Sequence, residues 1–316
     1  MRRTSITTGL LIGVLASLAF GTSGALAKPF MEAGWSPAAA VTARAGVAGI
    51  LLLPFAVRAL HGKWDVVWRA RWRILGMALI GVAGTQLVYF AALQRIPVSS
   101  ALLIEYLAPL LLVAWVAVAT RRFPGPVVIV GAVVAVGGLL LIIGPVGGGD
   151  PLGYVFAAVA AVGCALYYVI AARPAQGLPP VALAAFGLLI GSLSLGLVGL
   201  TGLVPFDAVL TDVDLSGIAT PWWAPLLLLA ATTAVGYATS IAASQLLGSR
   251  LMSFVGMLEV VFACVFAWIT LGEALTPWQL FGGALILAGI ACVRAEKAVD
   301  APLEAVPVPE PAPTRS

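Results

Sequence analysis

Ten apolar runs, each long enough to cross a bilayer, leave this chain little choice of fold. Their approximate limits are 7–27, 36–58, 74–93, 98–119, 126–144, 152–172, 180–204, 222–246, 251–271 and 277–294. About 20 apolar residues in helical form span about 30 Å of hydrocarbon, where every backbone polar group must find its partner inside the protein. Of the 316 residues, 61% are hydrophobic and 9% charged, a balance outside the range of soluble domains. A transmembrane β-barrel would need segments of about ten residues alternating apolar and polar, and none alternates. The expected fold is therefore an all-α integral membrane protein with ten transmembrane helices. Arg2-Arg3, the first run and Ala25-Leu26-Ala27 together also have the form of a secretory signal. We keep the run as helix 1, because its loss would leave 152–172 without a counterpart.

The ten runs are two sets of five. A shift of 151 positions brings Gln245 onto Gln94, Pro277 onto Pro126, Gly282 onto Gly131 and Gly289 onto Gly138 without a gap. A constant offset of this kind marks an internal repeat. Residues 1–148 form the first five-helix unit and 149–298 the second, while 299–316 is a Pro-, Ala- and Glu-rich tail expected to be disordered. Because five is odd, the second unit must be inverted relative to the first.

Basic loop residues set the orientation. With the N-terminus inside, Arg2, Arg3, Arg58, Lys63, Arg69, Arg71, Arg73, Arg121, Arg122, Arg173, Arg250, Arg294, Lys297 and Arg315 face the cytoplasm, and only Lys28 and Arg95 face out. Both termini are thus expected in the cytoplasm of a multi-pass protein of the cell's plasma membrane. The equivalent pairs Arg121-Arg122 and Gly272-Glu273 then lie on opposite sides, basic inside and acidic outside.

Several function classes are disfavoured. The net charge of +4 is scattered over short loops, which argues against nucleic acid as a partner. Cys164, Cys264 and Cys292 lie inside apolar runs and read as packing groups. No HExxH, GxSxG or Walker A pattern occurs, and the single histidine, His61, is in a loop. Neither an enzyme nor a built-in ATPase is supported, and no metal or other cofactor is expected.

Three ionisable residues lie deep in the runs: Arg44, Glu105 and Glu259. A charge at the bilayer centre costs at least about 2.5–3.5 kcal/mol, so such groups normally face a cavity or one another. The helical rise puts Arg44 and Glu105 at similar depth, which leaves two readings of Arg44. It pairs with Glu105, or its guanidinium receives a substrate carboxylate. Pro109 cannot donate to the carbonyl of Glu105 and should bend the helix there. The freed carbonyl beside a carboxylate would seat an ammonium group or a proton. Glu259, aligned with Ala108 one turn from Glu105, is the candidate for proton coupling.

Polar stripes recur at helical spacing. Thr85, Gln86 and Tyr89 lie on the third run, and Thr233, Tyr237, Ser240 and Ser244 on the eighth, with Gln86 equivalent to Tyr237 and Tyr89 to Ser240. They read as the lining of a cavity completed by Ser17, Gly21, Gly24, Gly163 and Tyr167, against the plainer reading of helix-to-helix hydrogen bonds. Gly131, Ala135 and Gly138, with Gly282, Gly283 and Gly289, read as close-packing surfaces. Thr276 and Pro277 mark a helix start, with Glu273 in the turn before it.

The paired five-helix units, Ser36-Pro37 followed by Arg44, Leu258-Glu259 and the stretch LGEALTPWQLFGGALILAG together resemble the EamA family of the drug/metabolite transporter (DMT) superfamily. The stretches LAKPFMEAGWSPAAAVTARAGVAGILLLPF and YFAALQRIPVSSALLIEYLAPLLLVA are similar to its bacterial threonine/homoserine-type amino acid exporters. The resemblance implies ten helices, export of amino acids or related metabolites, and no ATP hydrolysis. Where that family often has Leu-Glu-Pro, this chain has Leu258-Glu259-Val260, so no proline bends that helix.

The sequence thus predicts a secondary active transporter working by alternating access, as inverted repeats commonly do. Arg44, Gln86, Tyr89, Glu105, Tyr237 and Ser240 are its substrate-binding candidates and Glu259 its proton-coupling candidate. A small-molecule substrate such as an amino acid, the lipid bilayer, protons and a second copy of the chain are the candidate partners. The alternatives are export of hydrophobic metabolites or drugs, or a non-transporting membrane scaffold.

Overall fold

A computed structural model describes residues 2–121, 123–144, 149–215, 218–271 and 276–295. Arg122, Gly272-Glu273 and the tail 299–316 lie outside these described residues. The first unit comprises α1 (Arg2–Glu32), α2 (Pro37–Ala59), α3 (Asp65–Arg69), α4 (Arg71–Gly76), a π-helical stretch (Met77–Gly84), α5 (Thr85–Leu93), α6 (Val98–Glu105), α7 (Ala108–Thr120) and α8 (Pro126–Ile143). The second comprises α9 (Pro151–Ala172), α10 (Pro180–Leu200), a hairpin β1 (Val213–Leu215) and β2 (Ile218–Thr220), α11 (Trp223–Gly256), α12 (Leu258–Leu271) and α13 (Pro277–Ala295).

Proline opens many of these helices because the first turn has no use for its missing N–H. Pro37, Pro126, Pro151, Pro180 and Pro277 all stand there. Side chains supply the remaining caps: Ser36 accepts from the Ala39 N–H at 3.3 Å and Asp150 from the Leu152 N–H at 3.0 Å. At α13, Thr276 and Gln279 exchange side-chain and backbone bonds of 2.9 and 3.2 Å, a reciprocal capping box.

Among the described residues, nine helices, with the stretches Arg71–Leu93 and Ser100–Ala119 each taken as one, are long and apolar enough to cross a membrane. The expected tenth, 251–271, is divided between the end of α11 and the 14-residue α12. Two backbone events divide it. Gly248 turns the chain within α11 at φ 80°, ψ 162°, and Met257 separates α11 from α12. Only glycine takes that Gly248 conformation without strain. Its equivalent 151 positions earlier is Pro97, which precedes α6, so both copies turn at one register with different residues.

The units interlock through equivalent helices that lie antiparallel. α2 crosses α10 with Gly46 against Ser192 and Gly49 against Leu189. α8 crosses α13 with Gly131 against Gly289 and Gly138 against Gly282. A Cβ at Gly282 would stand 2.5 Å from the Gly138 carbonyl oxygen, and one at Gly289 2.5 Å from that of Gly131. The small-residue seam expected from sequence is therefore the contact itself, with backbone meeting backbone. α1 packs along α11 and α12, and α9 along α5, α6 and α7, the same relation in each direction.

The connection after α10 departs from the all-helical expectation. β1 and β2 pair antiparallel, and Val213 is buried with Phe30, Trp35, Ala39, Ala40, Leu226 and Leu229. Trp35 Nε1 donates to the Val209 carbonyl at 2.7 Å, while Ser36 exchanges hydrogen bonds with the Asp207 backbone at 2.9 and 3.0 Å. This loop covers the ends of α1, α2 and α11 with an apolar plug.

Candidate functional site

Two interrupted helices meet at the centre of the bundle. α6 ends at Glu105, Tyr106 and Leu107 leave the helix, and α7 restarts at Ala108 with Pro109 in its first turn. The bend expected from Pro109 is present. The second copy was expected to lack it, because Val260 stands where a proline would, yet the helix is interrupted at Met257. Tertiary partners explain the difference. Ser17 Oγ donates to the Val255 carbonyl at 2.9 Å, Gly21 brings α1 against the Glu259 carbonyl, and the Tyr168 hydroxyl rests on Gly256. A helix can break inside a membrane where neighbours take over its backbone groups. Tight 3₁₀ turns, Met257 N to Phe254 O at 3.1 Å and Val260 N to Met257 O at 3.2 Å, close the remainder.

These interruptions place the ionisable residues. Glu105 is the last residue of α6 and Glu259 the second of α12, and the two carboxyls are within electrostatic reach of each other. The amide-rich first turn of α12 favours negative charge at Glu259, whereas Glu105 sits where carbonyls point. The Tyr106 hydroxyl reaches Glu259. Arg44, on α2, is half-buried and interacts with Tyr237 and Glu259. Among the described residues no ion pair joins Arg44 to Glu105, the first of the two readings of Arg44. Equal depth does not put two side chains on facing sides of their helices, and the carboxyl whose charge acts on Arg44 is Glu259 of the other copy.

Aromatic rings fill the space around these charges. Tyr237 stacks edge-on with Tyr167 at 5.8 Å and with Phe20 at 5.2 Å, and Tyr167 with Tyr168 at 5.2 Å. The Tyr167 hydroxyl is buried beside Ser240 without a partner of full hydrogen-bond geometry. Tyr89 is half-buried and within reach of Glu105 and Glu259, packed among Leu93, Ile104, Tyr154 and Phe156. Arg44, Tyr89, Glu105, Tyr237, Ser240 and Glu259 therefore fall in one region. Gln86 is half-buried on α5.

Parts of the expected polar stripes have another use. Thr233 Oγ1 donates to the Leu229 carbonyl at 2.7 Å and Ser244 Oγ to that of Ser240 at 2.7 Å, bonds within α11 itself. Two clefts of about 400 and 240 Å³ lie elsewhere, one beside Leu10, Ile290 and Arg294 and the other beside Val261, Cys264 and Gln279. Neither includes a candidate site residue. Tyr167, Tyr168 and Tyr237 cluster at the polar centre.

Sequence reasoning missed the π-helical stretch. Met77–Gly84 carries i→i+5 bonds, and Thr85 Oγ1 donates to the Ile80 carbonyl, five residues back, at 2.7 Å. The extra residue in the turn rotates α5 relative to a regular helix, and Gly163 makes room for the Thr85 side chain. The equivalent residues in α11 are regular helix, so the repeat offset offered no signal. Tyr106 and Tyr168 were equally hidden, being apolar in pattern and polar only at the tip.

A family model described as "EamA-like transporter family" matches residues 7–144 and again 151–295. The chain is 27% identical over 140 residues to the "Uncharacterized inner membrane transporter YicL" of Salmonella typhimurium strain LT2. That match covers 43% of this chain and 46% of the relative, so the chain spans just under half the length of the relative it matches. A crystal structure titled "Crystal structure of protein" superposes with a TM-score of 0.72 at 23% identity, over 90% of this chain and 96% of that one. At that identity the likeness is one of fold.

Proposed function

The chain belongs to the EamA-like transporter family, and from that premise we propose that it is a secondary transporter exporting a small zwitterion of the amino-acid class. It is a multi-pass membrane protein with two copies of the family's unit. In this reading the copies are inverted and there are ten spans, the ninth formed by residues 249–256 and α12. Support comes from the antiparallel crossing of α2 with α10 and of α8 with α13, since equivalent helices run opposite ways only under inversion. Cytoplasmic termini follow from the distribution of Lys and Arg.

The observation that carries the substrate class is the position of Arg44. Its charge acts on Tyr237 and Glu259, and it enters no ion pair among the described residues. An unpaired Arg in a membrane interior is costly unless something anionic engages it. A substrate carboxylate fits its bidentate fork. Glu105, at a carbonyl-rich helix end, then receives the ammonium group, and Glu259 exchanges a proton with the pathway. Opening the tyrosine cluster on one side and closing it on the other is the alternating step, with the loop from Val209 to Thr220 closing the outer end.

The test is flux of radiolabelled amino acids in proteoliposomes, with and without a pH gradient. Gradient-driven flux that disappears in Glu259→Gln while exchange persists supports the reading. Amino-acid flux unchanged in a correctly inserted Arg44→Gln protein overturns it. The aromatic filling of the site favours the second reading, a hydrophobic metabolite, and that reading predicts flux insensitive to Arg44.

A further inference from the structure

We propose that the segment 58–72, between α2 and α4, is a binding site for anionic phospholipid headgroups. Trp64, Trp68 and Trp72 are spaced by four residues across α3 and the start of α4, and are 51%, 71% and 71% exposed. The chain between them is nearly continuous helix, with the Ala70 N–H bonded to the Val66 carbonyl at 2.9 Å and the Ile74 N–H to that of Ala70 at 3.0 Å. The three indoles therefore form one outward stripe.

The opposite face is anchored. Val66 and Ile74 are buried in the main core with Leu60 and Leu178, and Val66 lies against Gly177. Arg73 donates to the carbonyls of Ile170, Ala171, Arg173 and Pro174 at 2.8–3.1 Å, fixing the segment to the end of α9. The indoles are thus held outward by rigid backbone, beside the apolar ends of α2 and α4. That is the depth of the headgroup layer, where a ring with an apolar body and one N–H is most stable.

Charge selects the lipid. Arg71 lies over two of the indoles, its guanidinium carbon 4.8 Å from the Trp68 ring and 5.4 Å from that of Trp72. One of its nitrogens donates to the Trp68 carbonyl at 3.0 Å, which holds the fork in place and leaves its other donors available. Arg69 pairs with Asp65, whereas Arg58, Lys63 and Arg71 enter no ion pair among the described residues. Cations preset on aromatic rings at headgroup depth suit a phosphodiester bearing net negative charge, rather than one neutralised by choline.

The test is native mass spectrometry of the full-length, detergent-purified protein titrated with phosphatidylglycerol and, separately, phosphatidylcholine. Phosphatidylglycerol should be retained preferentially, with apparent affinity lowered about fivefold by Arg71→Gln. The Trp68→Ala, Trp72→Ala double variant should weaken both lipids, and Arg294→Gln, on a different surface, should change neither. Millimolar glycerol 1-phosphate should not displace the lipid. Equal retention of the two lipids, equal losses in Arg71→Gln and Arg294→Gln, or displacement by glycerol 1-phosphate, which would make this a soluble-anion site, overturns the proposal. If Arg71→Gln does not fold, Arg71→Lys keeps the charge without the flat stack; an intermediate affinity is expected and an unchanged one refutes the role of the stack.

Discussion

The Ser17 hydroxyl donates to the Val255 carbonyl at 2.9 Å, joining α1 to the interrupted helix 238 positions away. Both residues are buried, and the bond engages a carbonyl at the end of α11, where a helix runs out of N–H partners. Ser17→Ala should lower stability by about 1 kcal/mol, the usual size of such a loss. Ser194→Ala removes only a bond to the Ile190 carbonyl within α10 and should cost less. Thermal unfolding of the two detergent-solubilised variants side by side checks the order; an equal effect would mean that Ser17 serves only its own helix, where it also reaches the Gly13 carbonyl at 3.1 Å.

Gly21 leaves no room for a side chain. A Cβ there would lie 2.6 Å from the Phe262 Cβ and 3.0 Å from the Glu259 carbonyl oxygen. Gly21→Ala must push α1 off α12, at a cost of about 1–3 kcal/mol. Because the displaced contact is at Glu259, transport should fall further than stability; a variant with reduced melting temperature and full flux would show that this contact is packing alone.

Arg73→Ala should lower stability by about 2–3 kcal/mol, since four carbonyls at the end of α9 lose a charged donor. Arg73→Lys should recover part of that loss, because an ammonium group cannot span the four carbonyls as the planar fork does. Chemical or thermal unfolding of the three proteins tests the ranking.

Glu105→Gln and Glu259→Gln should differ in kind. The Glu105 variant should raise the concentration for half-maximal flux by about tenfold, as expected for losing one charged hydrogen bond. The Glu259 variant should instead abolish the response to a pH gradient. Concentration dependence of uptake in proteoliposomes, measured with and without the gradient, separates the two, and identical behaviour would place both carboxyls in one role.

Much of the frame was legible before any coordinates. The repeat offset marked the two five-helix units, and the small residues Gly131, Gly138, Gly282 and Gly289 marked a close-packing seam that the structure forms. Pro109 announced the break after Glu105. That the charge of Glu259 acts on Arg44 was not legible, because helical rise gives depth while rotation about the axis is set by packing. Nor were the hydroxyls of Thr233 and Ser244, whose bonds return to their own helix.

Composition and period alone determined that this is a multi-pass helical membrane protein built twice, because hydrocarbon admits no unpaired backbone and a constant offset survives as text. Tertiary structure decided the break at Met257, the π-helical stretch before Thr85 and which carboxyl lies within electrostatic reach of Arg44. Each depends on groups far apart in the chain: Ser17 on Val255, Gly163 on Thr85, one copy on the other. A helix inside a membrane departs from its regular ladder only where such neighbours accept its backbone, and no local stretch of sequence contains them.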